Sequence, residues 1–180
     1  MTRISSTNPS TNYTIIDSIE ATSPDHISAI VSHARNAQRS WRDMSVEKRV
    51  DILRTTYHEC DLAREPLAMS IAREMGMPVR QARDEVEYGM IYFRWYLDHA
   101  LESLSPEITR ETDAEIHTVY YEPRGVVLAI TPWNYPFSMS IWTCIQALLA
   151  GNSVIWKTSK ECILTGRLIA DIFARSDLPV

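Results

Sequence analysis

Apolar residues recur along this chain with two different rhythms. Between residues 24 and 100 they return every third and fourth position, the spacing of one helical face. Ile27, Ile30, Val31, Ala34, Ala37 and Trp41 share a first face. Ser23-Pro24 opens it, a capping hydroxyl followed by proline in the first turn. Ser45 caps a second helix, on which Val46, Val50, Leu53, Tyr57 and Cys60 align. Pro66 opens a third, with Leu67, Ile71 and Met75 inward and Gly76 as its stop. Pro78 opens a fourth, longer helix with Val79, Ala82, Val86, Phe93 and Leu97 on its stripe. Arg80, Arg83, Asp84 and Glu87 fall on its solvated side.

Downstream the periodicity gives way to continuous apolar runs. Gly125 to Ile130 is short and rich in β-branched residues, which predicts a strand buried on both faces. Thr131-Pro132-Trp133-Asn134-Tyr135-Pro136 is a loop, because each proline pushes its predecessor out of the helical region. Phe137 to Ala150 is apolar nearly all round and predicts a deeply buried helix, stopped by Gly151-Asn152. Ser153 to Lys157 predicts a second strand. The unit reads as β-α-β with a right-handed crossover, and ligands bind outside the carboxyl ends of such strands. Those ends are the Pro132-Trp133-Asn134 loop and Lys157-Thr158-Ser159. Elsewhere, residues 1–14 are polar and expected to be extended or loosely held. Tyr13 to Ile19 alternates weakly, as an edge strand would. Leu101 to Glu115 reads as a connector, and Ile116 to Glu122 as a strand.

Composition narrows the class. The 45% hydrophobic content of these 180 residues suits a globular α/β chain with a real core. A net charge of -5 argues against a nucleic-acid footprint. No run of 18 apolar residues points to a membrane span. Three cysteines, Cys60, Cys144 and Cys162, lack metal-ligand spacing and read as reduced thiols, which predicts a cytoplasmic protein. His26, His33, His58, His99 and His117 form no ligand cluster, so no metal is expected.

Candidate chemistry gathers at the two strand ends. Asn134 in a stiff loop reads as a turn asparagine satisfying its own backbone, or as an amide donor to a developing oxyanion. Trp133, between a proline and a polar residue, reads by itself as a core anchor. Lys157 is either a solvated strand-end lysine or a donor to sugar hydroxyls. Cys162, near a helix start, invites a reactive-thiol reading beside that of a plain buried thiol.

The Pro132-Trp133-Asn134-Tyr135-Pro136 motif, followed at this separation by LLAGNSVIWK (residues 148–157), resembles the N-terminal half of the aldehyde dehydrogenase superfamily. EPRGVV before it and DLPV at residues 177–180 resemble family segments too. Succinate-semialdehyde dehydrogenases are the nearest guess. The resemblance implies an N-terminal helical array (residues 24–100) plus the first β-α-β of a truncated Rossmann-like dinucleotide-binding domain (residues 116–180), with residues 1–180 forming a partial NAD(P)-binding domain. It implies that Asn134 is the oxyanion donor in catalysis and that Ile130, Thr131, Pro132 and Trp133 line the dinucleotide groove. Lys157 and Ser159 would face the adenosine ribose. At Lys160, NAD-preferring members commonly place a glutamate, here shifted to Glu161, so the cofactor is expected to be NADP or NAD, with NADP accepted.

The family oxidises an aldehyde to a carboxylic acid through a cysteine nucleophile and a glutamate-activated water. Both are expected C-terminal to these residues, along with the catalytic domain. The chain alone is therefore expected to be inactive, and the complete enzyme to be a homo-oligomer acting on a small-molecule aldehyde. The segment near residues 116–122 would help form that oligomer. The alternative is a non-catalytic remnant, or a subunit complementing a second chain.

Overall fold

The computed structural model describes residues 2–179, so Val180 of the DLPV segment lies outside the described residues. Two antiparallel strands come first, β1 (Arg3–Asn8) and β2 (Thr14–Glu20). Of the two readings of the polar start, extended or loosely held, β1 takes the extended one. RISSTN lacks alternation, and what orders it is pairing with β2 together with Ser6, whose buried hydroxyl donates to Glu74 Oε1 at 2.6 Å.

Four helices follow: α1 (Ile27–Arg42), α2 (Val46–Leu62), α3 (Arg64–Met75) and α4 (Val79–Leu104). The predicted caps operate as expected. Ser23 accepts from the Asp25 N–H and Ser45 from the Lys48 N–H. Pro66 does not open α3. It sits inside the first turn, where its missing N–H would have had no partner in any case. The predicted stripes form the core, including Trp41, Leu53, Leu67, Ile71, Val86, Phe93 and Leu97. Ile27 and Ile30, by contrast, stay exposed at the start of α1.

The connector expected after residue 100 is instead the last turn of α4 and a hairpin of β3 (Glu107–Glu111) with β4 (Ile116–Val119). Polar residues obscured β3, because every residue of that strand faces solvent and no apolar alternation is needed. The β4 strand ends at Val119, short of Glu122.

The β-α-β unit is as predicted: β5 (Val126–Ile130), α5 (Pro136–Leu149) and β6 (Ser153–Lys157), with β5 and β6 parallel and Ile130 paired to Lys157. A last helix, α6 (Ile163–Phe173), follows a single tight turn at Lys160–Cys162. One expectation fails here. The β5 strand is not buried on both faces, since Ala129 is 5% exposed but Leu128 and Ile130 are 62% and 63% exposed. Alternation along a strand puts these on opposite faces. The inner face packs toward the helices, and the face carrying Leu128 and Ile130 stays open.

Helix α5 joins the layers. Phe137, Ile141 and Ile145 are fully buried against the helical array. Each such side chain contributes about 1.5–3 kcal/mol relative to exposure. Gly89 of α4 permits the closest approach, because a Cβ there would lie 2.5 Å from Phe137 Cδ1.

Candidate functional site

Both predicted strand ends meet at one edge of the molecule. The Thr131 N–H donates to the Lys157 carbonyl at 3.1 Å, continuing the parallel ladder one residue past β5. Its side chain is buried and accepts from Trp156 Nε1 at 2.9 Å. Thr131 is thus the fixed base of the loop, buried with its N–H and hydroxyl both hydrogen-bonded. Beyond it Pro132, Trp133, Asn134 and Tyr135 are all exposed, and Pro136 and Phe137 are buried again. Trp133 is therefore not a core anchor. Asn134 lies on the exposed crown of a loop tied down at both feet. No side-chain hydrogen bond joins it to its own backbone among the described residues.

Ile130 and Lys157 stand side by side in register, an exposed aliphatic surface next to an ammonium. Lys157 Nζ donates to the Thr158 carbonyl at 3.3 Å. Ser159 caps the tight turn, accepting from the Glu161 N–H at 3.3 Å. Lys160 and Glu161 are exposed, with Nζ and Oε1 3.6 Å apart. They are neighbours in an ion pair here rather than pointing apart. Gly166 lets α6 press on this loop, since a Cβ there would meet Thr158 Cγ2 at 2.5 Å. An open apolar strip flanked by an ammonium and hydroxyls has the chemistry to hold an adenosine: a ring face against Ile130, and sugar hydroxyls on Lys157 and Ser159.

The cysteines are placed as inert thiols. Burial pushes Cys60 up to about 12 and Cys144 up to about 11. Cys162 is raised as well, again chiefly by burial, against the lowering expected at a helix start. No group of three or more His, Cys, Asp or Glu side chains could hold a metal among the described residues. Nor is any described helix long and apolar enough to cross a membrane.

Two buried glutamates support the site and went unpredicted. Glu74 accepts from the Leu164 N–H at 2.9 Å and the Thr165 N–H at 2.7 Å, satisfying the first turn of α6 behind the Lys157–Ser159 loop. Glu85 accepts from the Ser138 N–H at 2.7 Å, in the first turn of α5 behind the Asn134 loop. Both lie in register with buried stripes, Glu74 three residues after Ile71 and Glu85 three after Ala82. An acidic residue on an apolar stripe was the available signal.

The aldehyde dehydrogenase family model matches residues 1–180. Succinate-semialdehyde dehydrogenase of Paenarthrobacter nicotinovorans is 32% identical over 159 residues, covering 88% of this chain and 35% of that protein. D-glyceraldehyde dehydrogenase (NADP(+)) of Picrophilus torridus is 32% identical over 173 residues, covering 96% of this chain and 35% of that one. The crystal structure of NADP-dependent glyceraldehyde-3-phosphate dehydrogenase from Bacillus halodurans complexed with NADP superposes with a TM-score of 0.91 at 29% identity, over 99% of this chain and 38% of that chain. The chain spans about a third of the length of the curated relatives it matches. The fold and the match along its whole length establish that the chain belongs to the aldehyde dehydrogenase family.

Proposed function

We propose that this chain is the N-terminal part of an NAD(P)-dependent enzyme oxidising an aldehyde to a carboxylic acid. In it residues 1–180 are a partial, Rossmann-like dinucleotide-binding domain. The observation that carries the reading is the meeting of the Asn134 loop with Lys157 and Ser159 at the carboxyl ends of two parallel strands. Ligands of open α/β sheets bind there. Asn134 donates its amide N–H to the oxyanion that develops on the aldehyde carbon, a role worth roughly 2.7–4 kcal/mol of transition-state stabilisation for one donor. Ile130, the Thr131 backbone, Pro132 and Trp133 wall the dinucleotide groove. Lys157 and Ser159 hold the ribose hydroxyls, and Lys160 lies toward the 2'-position. The bound dinucleotide supplies hydride acceptance.

All three cysteines are buried thiols, which supports the reading that the chain by itself does not turn over. The relatives favour a semialdehyde or a small hydroxyaldehyde as substrate. The fully exposed β3 strand supports a hairpin that projects into a homo-oligomer. Purified chain mixed with NAD or NADP and a panel of aldehydes should show no change at 340 nm. The same chain joined to the remaining segments of a succinate-semialdehyde dehydrogenase should oxidise succinate semialdehyde. Turnover by the chain alone, abolished by Cys162→Ala, would contradict this reading.

A further inference from the structure

Helix α5 begins without a cap of its own. Tyr135 precedes it and offers no side-chain acceptor to the first-turn N–H groups. Such groups need a partner when buried. The partner comes from another helix. Glu85 Oε1 accepts from the Ser138 N–H at 2.7 Å, and the Ser138 hydroxyl donates back to the Glu85 carbonyl at 2.8 Å. Both residues are sealed from solvent, at 2% and 1% exposure. Glu85 Oε2 is buried with no hydrogen-bond partner among the described residues, so the carboxyl group meets the first turn of α5 through Oε1 alone. One turn further along α4, Gly89 seats the ring of Phe137, fixing the adjoining residue by shape. The loop crown is thereby held from two sides: Thr131 anchors its strand end, and the Glu85–Ser138 pair anchors its helix end, four residues beyond Asn134.

We propose that Glu85 is a positioning residue for Asn134, holding the first turn of α5 through Ser138 so that the amide is presented at a fixed place. The proposal rests on the reading of Asn134 as the oxyanion donor. Preorganised donors stabilise charge because they need not reorganise as it develops. A loosened loop therefore lowers kcat most, while the dinucleotide contacts made outside the loop, by Ile130, Lys157 and Ser159, stay in place. Glu85→Gln keeps an oxygen acceptor for the Ser138 N–H and should keep the geometry. Glu85→Ala removes it.

Hydrogen exchange on the full chain tests the holding directly. Glu85→Ala should raise exchange of the Ser138 amide and its loop neighbours by about tenfold, the size expected for one lost hydrogen bond. Amides of α2 and α3 should stay protected, and Glu85→Gln should restore the loop. In the chain joined to a relative's catalytic portion, Glu85→Ala should lower kcat about tenfold with KM little changed, and Glu85→Gln should recover most of it. Should Glu85→Ala not fold, Ser138→Ala, which deletes only the hydroxyl bond, should still raise loop exchange selectively. Unchanged loop exchange in the folded variants, or a uniform rise throughout the chain, overturns the proposal. So does a rise in loop exchange with kcat unaltered, provided Asn134→Ala is itself slow. If Asn134→Ala is as fast as the parent, the oxyanion reading fails instead, whatever the exchange data show.

Discussion

Arg49 and Glu85 hold the opposite ends of one buried helix. Arg49 Nε donates to the Leu149 carbonyl at 2.9 Å at the end of α5, and Glu85 accepts from the Ser138 N–H at 2.7 Å at its start. A cation at the carboxyl end opposes the helix macrodipole, and an acceptor at the amino end satisfies an N–H that the helix itself leaves unpaired. Both come from the helical array, α2 and α4. Trp41 Nε1, donating to the Leu148 carbonyl at 2.8 Å, adds a third tie from α1. The array thus serves to set α5, and α5 carries the loop on which Asn134 sits.

This arrangement makes stability pH-dependent. Burial pushes the Glu85 carboxyl from 4.5 up to about 7, while hydrogen bonds from Ser138 and the Phe137 backbone pull it back. The folded value lies above the unfolded one, so the native chain binds the extra proton. The stabilisation is fully present below the unfolded value and is lost as pH rises through the folded one. Urea melts should show unfolding free energy declining by roughly 2–4 kcal/mol between about pH 5 and 8, at about 1.4 kcal/mol per pKa unit. Glu85→Gln should flatten that slope.

Arg49 should resist replacement even by lysine. It is 7% exposed, and it serves the Met44 carbonyl as well as that of Leu149. An ammonium cannot reproduce the guanidinium fork. Leaving buried acceptors unpaired costs about 1–3 kcal/mol each. Arg49→Lys and Arg49→Met should both lower Tm, by roughly 5–15 °C for a chain of this size. Calorimetry would check this, and a lysine variant as stable as the parent would count against the account of the helix end.

Gly89→Ala should destabilise although alanine is the better helix former by about 0.5–1 kcal/mol. The added methyl would meet two atoms of the buried Phe137 ring at 2.5 and 2.6 Å. Overpacking of this kind costs about 1–3 kcal/mol, so the net loss should be visible in chemical denaturation.

Cofactor preference should respond to Lys160. Its ammonium is exposed and paired at 3.6 Å with Glu161, so its pull on a 2'-phosphate is screened. In the completed enzyme, Lys160→Glu should lower the NADP-to-NAD ratio of kcat/KM by about two- to fivefold, the range for exposed charge pairs. An unchanged ratio would make Lys160 an ordinary surface residue.

What could be read from sequence was what is local. The strand–loop–helix–strand order around Asn134, and the pairing that brings Lys157 alongside, follow from apolar runs and prolines within one contiguous stretch. The supports were not legible, because their partners are remote. Glu85 meets Ser138 across 53 residues, Glu74 meets Leu164 across 90, and Arg49 meets Leu149 across 100. Charge on α4 read as solvated because Arg83, Asp84 and Glu87 are so, and Glu85 sits among them. The β1 and β3 strands carry no apolar alternation and become strands only by pairing. The open face of β5 escaped because a run of apolar residues looks alike whether one side or both are covered.

The most direct test of the oxyanion role is the single-turnover rate of aldehyde oxidation by the chain joined to a relative's catalytic portion, with and without Asn134→Ala. The account predicts a fall of about 10²–10³-fold in the variant, with dinucleotide affinity retained. A variant that oxidises aldehyde at the parent rate would contradict it.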